Sequence, residues 1–299
     1  MQRLASILIT FLLKAVSLLP FCLLYRLADL TYLLLYYVVR YRRNLVERNI
    51  SSSFPEMSPK QVKSTVRKFY RNFADYFFET VKLAHISDAK MCRHMVFRNV
   101  EAIERHLQAG RSVVLYFSHC GNWEWGTSIS LWSNAVANSA VGQVYRPLKS
   151  RWADEFMLAI RSRFNTRSYP KATVFRDLLR DRMSHRQFVV GFMSDQKPSH
   201  GDRVHIVKFL NHPTAVITGT EMAARRLGAA IGYMDITKLR RGYYEITIRE
   251  IADNVAETDE YAVTDRYIQM LEETIRRRPD IWLWSHNRWK HKVEMPCQQ

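Results

Sequence analysis

Ser112-Val113-Val114-Leu115-Tyr116-Phe117-Ser118-His119-Cys120-Gly121-Asn122-Trp123-Glu124 is the stretch on which the fold turns. Five consecutive apolar residues between two serines have the pattern of a strand buried on both faces, as in sheets covered by helices on either side. Gly121 permits a tight turn directly afterwards, and residues 123–137 read as helical. Strand, turn and helix in that order set His119 and Glu124 just outside the carboxyl end of a strand, where the sites of open α/β sheets gather.

The pattern repeats outward from there. Residues 140–145 and 187–193 predict two further strands, and 229–237 with 243–249 predict a pair joined across 240–242. Residues 204–210 read as a strand, with a loop as the alternative. Helices are predicted over 59–83, 150–163, 173–183, 214–227 and 259–277. Ser58-Pro59 opens the first of these as an N-cap followed by proline at the first helical position. Gly228 closes the fourth, and Pro279 stands just past the fifth. Residues 44–57 are polar and turn-rich. Strands alternating with helices predict an α/β fold with a mixed, mostly parallel sheet flanked by helices.

Three apolar runs, 4–13, 15–25 and 30–39, precede this domain. Lys14 splits the first two, and Arg26 and Asp29 separate the second from the third. No run alone reaches the roughly 18–20 residues that span a bilayer. Residues 4–25 together reach that length only with Lys14 near the middle. A cleaved signal peptide fits poorly, because no A-x-A site is present and apolar sequence continues to Val39. A buried helix pair is the remaining alternative. The reading preferred is a membrane anchor over residues 1–43, either a single span or a helix in the interface, followed by a catalytic domain over 44–299. Arg40, Arg42 and Arg43 place that domain on the cytoplasmic side, near anionic lipid.

The chain has 299 residues, of which 47% are hydrophobic, enough for a substantial core. A formal net charge of +17 seeks polyanions: nucleic acid, anionic headgroups or an acidic carrier protein. No helix-turn-helix, zinc finger or RNP pattern supports nucleic acid. Cys22, Cys92, Cys120 and Cys297 form no CxxC pair, so neither a disulfide framework nor a structural zinc site is expected. His200, His205 and His212 lack cysteine partners at ligand spacing. No metal and no cofactor are expected.

A hydroxyl is a poor nucleophile near neutral pH, and a histidine at an ordinary pKa of about 6.5 takes its proton as the new bond forms. A carboxylate on the other ring nitrogen fixes the tautomer. His119 and Glu124 have the residue types for this, although a bare H-x4-E spacing by itself fits a turn histidine and an exposed helical glutamate better. Cys120 offers a covalent alternative. Neighbours in extended backbone point to opposite sides, so His119 is badly placed to activate it, and Cys120 reads as a packing residue.

The segment 118–126, SHCGNWEWG, resembles the H-x4-D/E block of the bacterial lipid A biosynthesis lauroyl/myristoyl acyltransferases, part of the wider lysophospholipid acyltransferase superfamily. Further blocks resemble the family's in order. These are Gln143-Val144-Tyr145-Arg146-Pro147, Met193-Ser194-Asp195-Gln196, the region from Phe209 to Ala230, and the tail from Arg278 through Trp282, Trp284, His286, Arg288, Trp289 and Lys290. The resemblance covers most of the chain. It implies His119 as general base with Glu124 as its partner, and an acyl-carrier-protein thioester as donor. It also implies a hydroxyl of a lipid A precursor as acceptor in a late acylation step, at the bacterial inner membrane and without a cofactor. Other glycolipid, aminolipid or lysophospholipid acceptors, and a membrane-tethered polyanion-binding module without chemistry, are the alternatives.

Three arginines are candidates for the oxyanion or a substrate phosphate: Arg146 at a strand end, and Arg161 and Arg163 at the end of a helix. Asn122 and Asp195 are candidates for positioning the acceptor. Arg288, Lys290 and Lys292 are candidates for contacting headgroups or the carrier protein, with a solvated charge run as the alternative. A long acyl chain requires an apolar groove, since each buried CH₂ contributes roughly 0.8 kcal/mol.

Overall fold

The computed structural model describes residues 2–295, with side chains from Leu8 onward, so Cys297 lies outside the described residues. Seven strands form one mixed sheet in the order β1-β9-β8-β2-β5-β3-β4. Their ranges are β1 Met95–Arg98, β2 Val113–Phe117, β3 Ala140–Tyr145, β4 Arg167–Pro170, β5 Phe188–Met193, β8 Ala230–Arg240 and β9 Tyr243–Ala252. Strand β2 pairs in parallel with both β5 and β8, and β3 with both β5 and β4. Strands β8 and β9 form the antiparallel hairpin. All five residues of β2 are buried, as its unbroken apolar run requires.

Helices flank the sheet: α4 Pro59–Lys82, α6 Glu101–Gln108, α8 Arg151–Arg161, α9 Val174–Met183, α10 Gly219–Leu227 and α11 Ala262–Arg277, with the short α5 Asp88–His94 and α7 Asn134–Asn138 between them. Ser58 and Gln61 close a reciprocal capping box at the start of α4. Gly228 ends α10 in the left-handed conformation.

Several boundaries differ from the sequence reading. Residues 44–57, expected as turns, contain helix α3 Arg43–Ser53, which buries only Val46, Asn49, Ile50 and Ser53. The expected helix 214–227 is two elements. Strand β7 His212–Ile217 pairs with β6 Val204–Phe209 in a separate antiparallel hairpin, and only Gly219–Leu227 is helical. The helix expected after Gly121 begins as a 3-10 helix, Trp123–Leu131. The short strands β1 and β4 were not anticipated.

At the N-terminus, α1 Gln2–Leu18 and α2 Phe21–Leu33 are joined at Pro20, and α2 runs on through a π-helical segment, Leu34–Val38. The 18 residues Phe21–Val38 are long and apolar enough to cross a membrane. They are nonetheless not detached from the domain. Leu24, Ala28, Tyr32 and Tyr36, spaced four apart, form a buried stripe on the side packed against α4. Leu23, Leu30, Leu33, Leu34 and Val38 are exposed. Lys82, at the end of α4, donates to the carbonyls of Ser17 and Leu19 at 2.8 and 2.7 Å and so satisfies the end of α1. An apolar N-terminal helix suited to membrane anchoring is thus built onto the domain along one of its faces.

Candidate active site

Parallel pairing sets the central geometry. Phe117 of β2 faces Met193 of β5, and each chain continues for two residues, to His119 and to Asp195. The His119 Nδ1 lies 2.7 Å from Asp195 Oδ1, and the His119 backbone N–H donates to Oδ2 at 2.9 Å. Trp282 Nε1 donates to the same Oδ2 at 2.8 Å. Burial by itself raises the Asp195 carboxyl, but the attraction of His119 and these hydrogen bonds outweigh it and hold the group at about 2. An ionised carboxylate only accepts, so the His119 proton sits on Nδ1. The lone pair is then on Nε2, which makes no hydrogen bond among the described residues. The His119 side chain is partly exposed, whereas that of Asp195 is enclosed.

Glu124 does not reach this ring. Asn122 caps the 3-10 helix by accepting from Trp125 N at 3.3 Å, and that short helix carries Glu124 toward the end of α8. There Arg161 grips it through Nε and Nη2, at 2.7 and 2.6 Å. Trp123 stands edge-on to His119 at 5.0 Å and stacks on Tyr76, whose hydroxyl is 3.4 Å from Glu124. The two parts of the H-x4-E pattern are therefore linked through aromatic rings rather than by a hydrogen bond.

The remaining expected residues separate clearly. Arg146 follows β3, the neighbour of β5, at the same sheet edge as His119, and it is exposed with no hydrogen bond or ion pair among the described residues. Arg163 turns instead to the carbonyl of Ala84 at 3.0 Å, with Asp88 at 3.9 Å, away from Glu124. Asn122 is fully buried and donates to Glu79 at 3.0 Å, so its amide faces the interior rather than an acceptor. Asp195 is buried on three donors, which leaves it facing His119 rather than a sugar. Cys120 is buried, and burial pushes its thiol well above the ordinary range, consistent with a packing role.

Sequence reasoning missed the part played by the tail. Cys120 and Trp282 form an antiparallel bridge. Gly121 N donates to Ile281 O at 2.9 Å, and Leu283 N donates to His119 O at 3.0 Å. Gly121 has φ +56, and a Cβ there would approach the Tyr244 ring at 3.1 Å. Trp282 and Trp284 are both core residues, 4.7 Å apart and edge to face. Arg288, expected at the surface, is buried and donates to Ala215 O at 2.6 Å. Lys290 and Lys292 are exposed. His286 accepts from Lys197 N at 3.1 Å, and burial lowers it to about 4, so it is neutral near pH 7. The W-x-W spacing was the one signal available, and it marks burial without naming a partner.

A cavity of about 30 Å³ lies against the same strands, lined among others by Leu115, Phe117, Gly126, Val189, Gly191 and Met234. Of the histidines weighed as metal ligands, His205 lies 3.1 Å from Asp265, and His212 is 3.1 Å from the Ser52 hydroxyl.

A family model described as bacterial lipid A biosynthesis acyltransferase matches residues 1–291. The chain belongs to that family. No curated protein matches it. Membership makes the chain an acyltransferase tied to lipid A biosynthesis, and the hydrogen-bonded His119–Asp195 pair lies beyond the carboxyl ends of β2 and β5.

Proposed function

We propose that this acyltransferase moves a fatty acyl chain from an acyl-carrier-protein thioester to a hydroxyl of a lipid A precursor, with His119 as general base and Asp195 orienting it. The observation that carries the reading is the His119 ring, tethered through Nδ1 to an ionised carboxylate, with Nε2 in no hydrogen bond among the described residues. That arrangement favours proton removal at Nε2 and stabilises the imidazolium once formed.

The steps balance without an enzyme nucleophile. Nε2 takes the acceptor hydroxyl proton as its oxygen attacks the thioester carbonyl carbon. The carbonyl π electrons move to oxygen, giving an oxyanion. When the C=O bond re-forms, the C–S bond breaks, and the imidazolium returns its proton to the departing thiolate. The products are an ester and a free carrier thiol. Arg146, exposed and unpaired at the same sheet edge, is assigned to the oxyanion or to a substrate phosphate. The Glu124–Arg161 pair is assigned to holding Trp123 and Tyr76 beside the base. Arg163 faces Ala84 and Asp88, which does not favour a substrate contact.

The exposed leucines of α1 and α2, together with the arginines that follow them, favour a site held at the cytoplasmic face of the inner membrane, where both substrates are within reach. The test is mass spectrometry of lipid A and phospholipids from cells with and without the gene. One acyl chain missing from lipid A, restored by wild type and not by His119→Ala, is the expected result. Intact lipid A with a different acylated lipid missing would move the acceptor to another glycolipid or phospholipid.

A further inference from the structure

Glu79 is a fully buried carboxylate that the chemistry above leaves without a task. It lies near the end of α4, and three side chains from separate elements donate to it. The Tyr25 hydroxyl of α2 reaches Oε1 at 3.0 Å. Asn122 Nδ2 of the catalytic turn and the Tyr244 hydroxyl of β9 reach Oε2 at 3.0 and 2.9 Å. The Glu79 carbonyl also accepts from Trp125 Nε1 at 2.9 Å, in the first turn of the 3-10 helix.

A second acid extends the connection one helical turn earlier. Asp75 is bound by Arg241 at 2.6 Å and lies 3.4 Å from Lys238. Arg241 also holds Asp29 of α2 at 2.8 Å and covers the Tyr25 ring at 4.4 Å. The apolar helix that faces outward is thus joined by partly buried polar contacts to the segment carrying Asn122, three residues beyond His119. Burying an ionisable group is costly unless its partners are well placed. A packing role alone would be met by an apolar side chain, so the donor set points to a requirement for position.

We propose that Glu79 is a positioning residue for catalysis: by holding Asn122 and Tyr25 together, it fixes the His119 turn against the membrane-facing helix α2. That helix is then part of the active-site scaffold as well as a tether. The proposal rests on the His119 reading above. It predicts that loosening the Glu79 contacts slows the chemical step and leaves acceptor binding nearly unchanged.

The test uses the full-length protein and compares wild type, Glu79→Gln, Tyr25→Phe, His119→Ala and the Glu79→Gln/His119→Ala double variant. Acyl-transfer kinetics, thermal melting and co-sedimentation with phosphatidylethanolamine–phosphatidylglycerol vesicles are measured on the same preparations. Expected is a fall in kcat of about tenfold for Glu79→Gln, the scale of one buried hydrogen bond left unmade, with acceptor KM within about twofold. Tyr25→Phe lowers kcat about threefold, the scale of one neutral hydrogen bond, with vesicle binding unchanged. In the His119→Ala background Glu79→Gln has no further effect, because the lost term acted through the base. A wild-type kcat in Glu79→Gln overturns the proposal. So does a loss that matches the fraction unfolded and recurs in full in the double variant. Wild-type kcat in Tyr25→Phe overturns the link to α2. Should Glu79→Gln not fold, Tyr244→Phe removes a donor from the same carboxylate and is read by the same criteria. If His119→Ala itself keeps the wild-type rate, the reading of the base fails instead.

Discussion

His119 and Asp195 stand opposite one another because each lies two residues past a paired position, Phe117 facing Met193 across adjacent parallel strands. The rigidity of two buried strands is transferred to a pair of side chains in loops. The register is the reason that Asp195, and not the nearer-in-sequence Glu124, meets the imidazole.

Replacing that carboxylate leaves the shape intact while favouring the wrong ring tautomer. Asp195→Asn is expected to lower kcat by about 10⁴-fold and to retain the fold. His119→Ala has a comparable effect, and the double variant is no slower than the worse single one. Steady-state kinetics on the three proteins decide this. A fast Asp195→Asn enzyme would return the orienting role to another group.

The same carboxylate gives a pH signature. Its folded-state value of about 2 lies below the ordinary 3.8. The protonated form is therefore favoured in the unfolded chain, and ionised Asp195 contributes about 2 kcal/mol of stability. That contribution is complete above about pH 4 and disappears as pH falls through about 2. Urea unfolding of wild type and Asp195→Asn over this range is expected to show two stabilities converging toward acid. A constant gap would contradict the assignment.

Glu124 and Arg161 act as one unit. Removing either partner leaves an unpaired charge in a largely enclosed place, with a loss of about 3 kcal/mol. Glu124→Gln and Arg161→Met are each expected to destabilise by that order, and the double variant by less than the sum. Denaturant titration measures it, and simple additivity would mean that the two groups are independent.

Gly191 offers a way to probe the acyl chain. It pairs with Leu115, four residues before His119, so it lies about 13 Å along the strand from the base. A Cβ there would meet only the Gly142 carbonyl, at 3.9 Å, whereas Gly126 and Gly142 are closed by aromatic rings at 2.7 and 2.4 Å. Gly191→Val is expected to fill the adjacent cavity without unfolding the sheet and to shift the product toward chains about two carbons shorter, the volume of the added methyl groups. Mass spectrometry of the product reads the shift. An unchanged chain length at full activity would place the chain elsewhere.

Membrane attachment is expected to depend on the outward side of α2. Leu30 and Leu34 are exposed and stand outside the buried stripe of Leu24, Ala28, Tyr32 and Tyr36. The Leu30→Asp/Leu34→Asp double variant loses about 3 kcal/mol or more of interfacial affinity and keeps the wild-type melting temperature. Vesicle co-sedimentation tests it, and undiminished binding would assign attachment to another surface. Deleting residues 1–43 is a poorer test, because it uncovers the side of α4 that Leu24, Ala28, Tyr32 and Tyr36 protect.

Strands β2 and β5 were legible because they are apolar runs without a polar residue, and such runs are what a doubly covered sheet needs; β3 is interrupted only by Gln143. Helix α3 was hidden by a polar surface with four inward positions. Strand β7 was hidden because Thr214, Ala215 and Val216 lead into a true helix with no proline or glycine until Gly219. At the candidate site, His119 was legible from its place after a strand taken together with the family-like block around it, since its spacing to Glu124 fits a turn histidine too. Its partner was not, since pairing register between strands far apart in the chain leaves no local trace. The buried Glu79 was invisible for a related reason: its donors come from α2, the catalytic turn and β9, and only the folded chain brings them together.

Strand-like contacts from Ile281 and Leu283 hold the His119 turn, and Trp282 supplies a donor to Asp195. During synthesis at about 5–20 residues per second, these side chains emerge roughly ten to thirty seconds after the histidine they support. The His119–Asp195 pair is therefore made without its last donor, and its surroundings are completed only when the final segment of the chain pairs with the turn it supports.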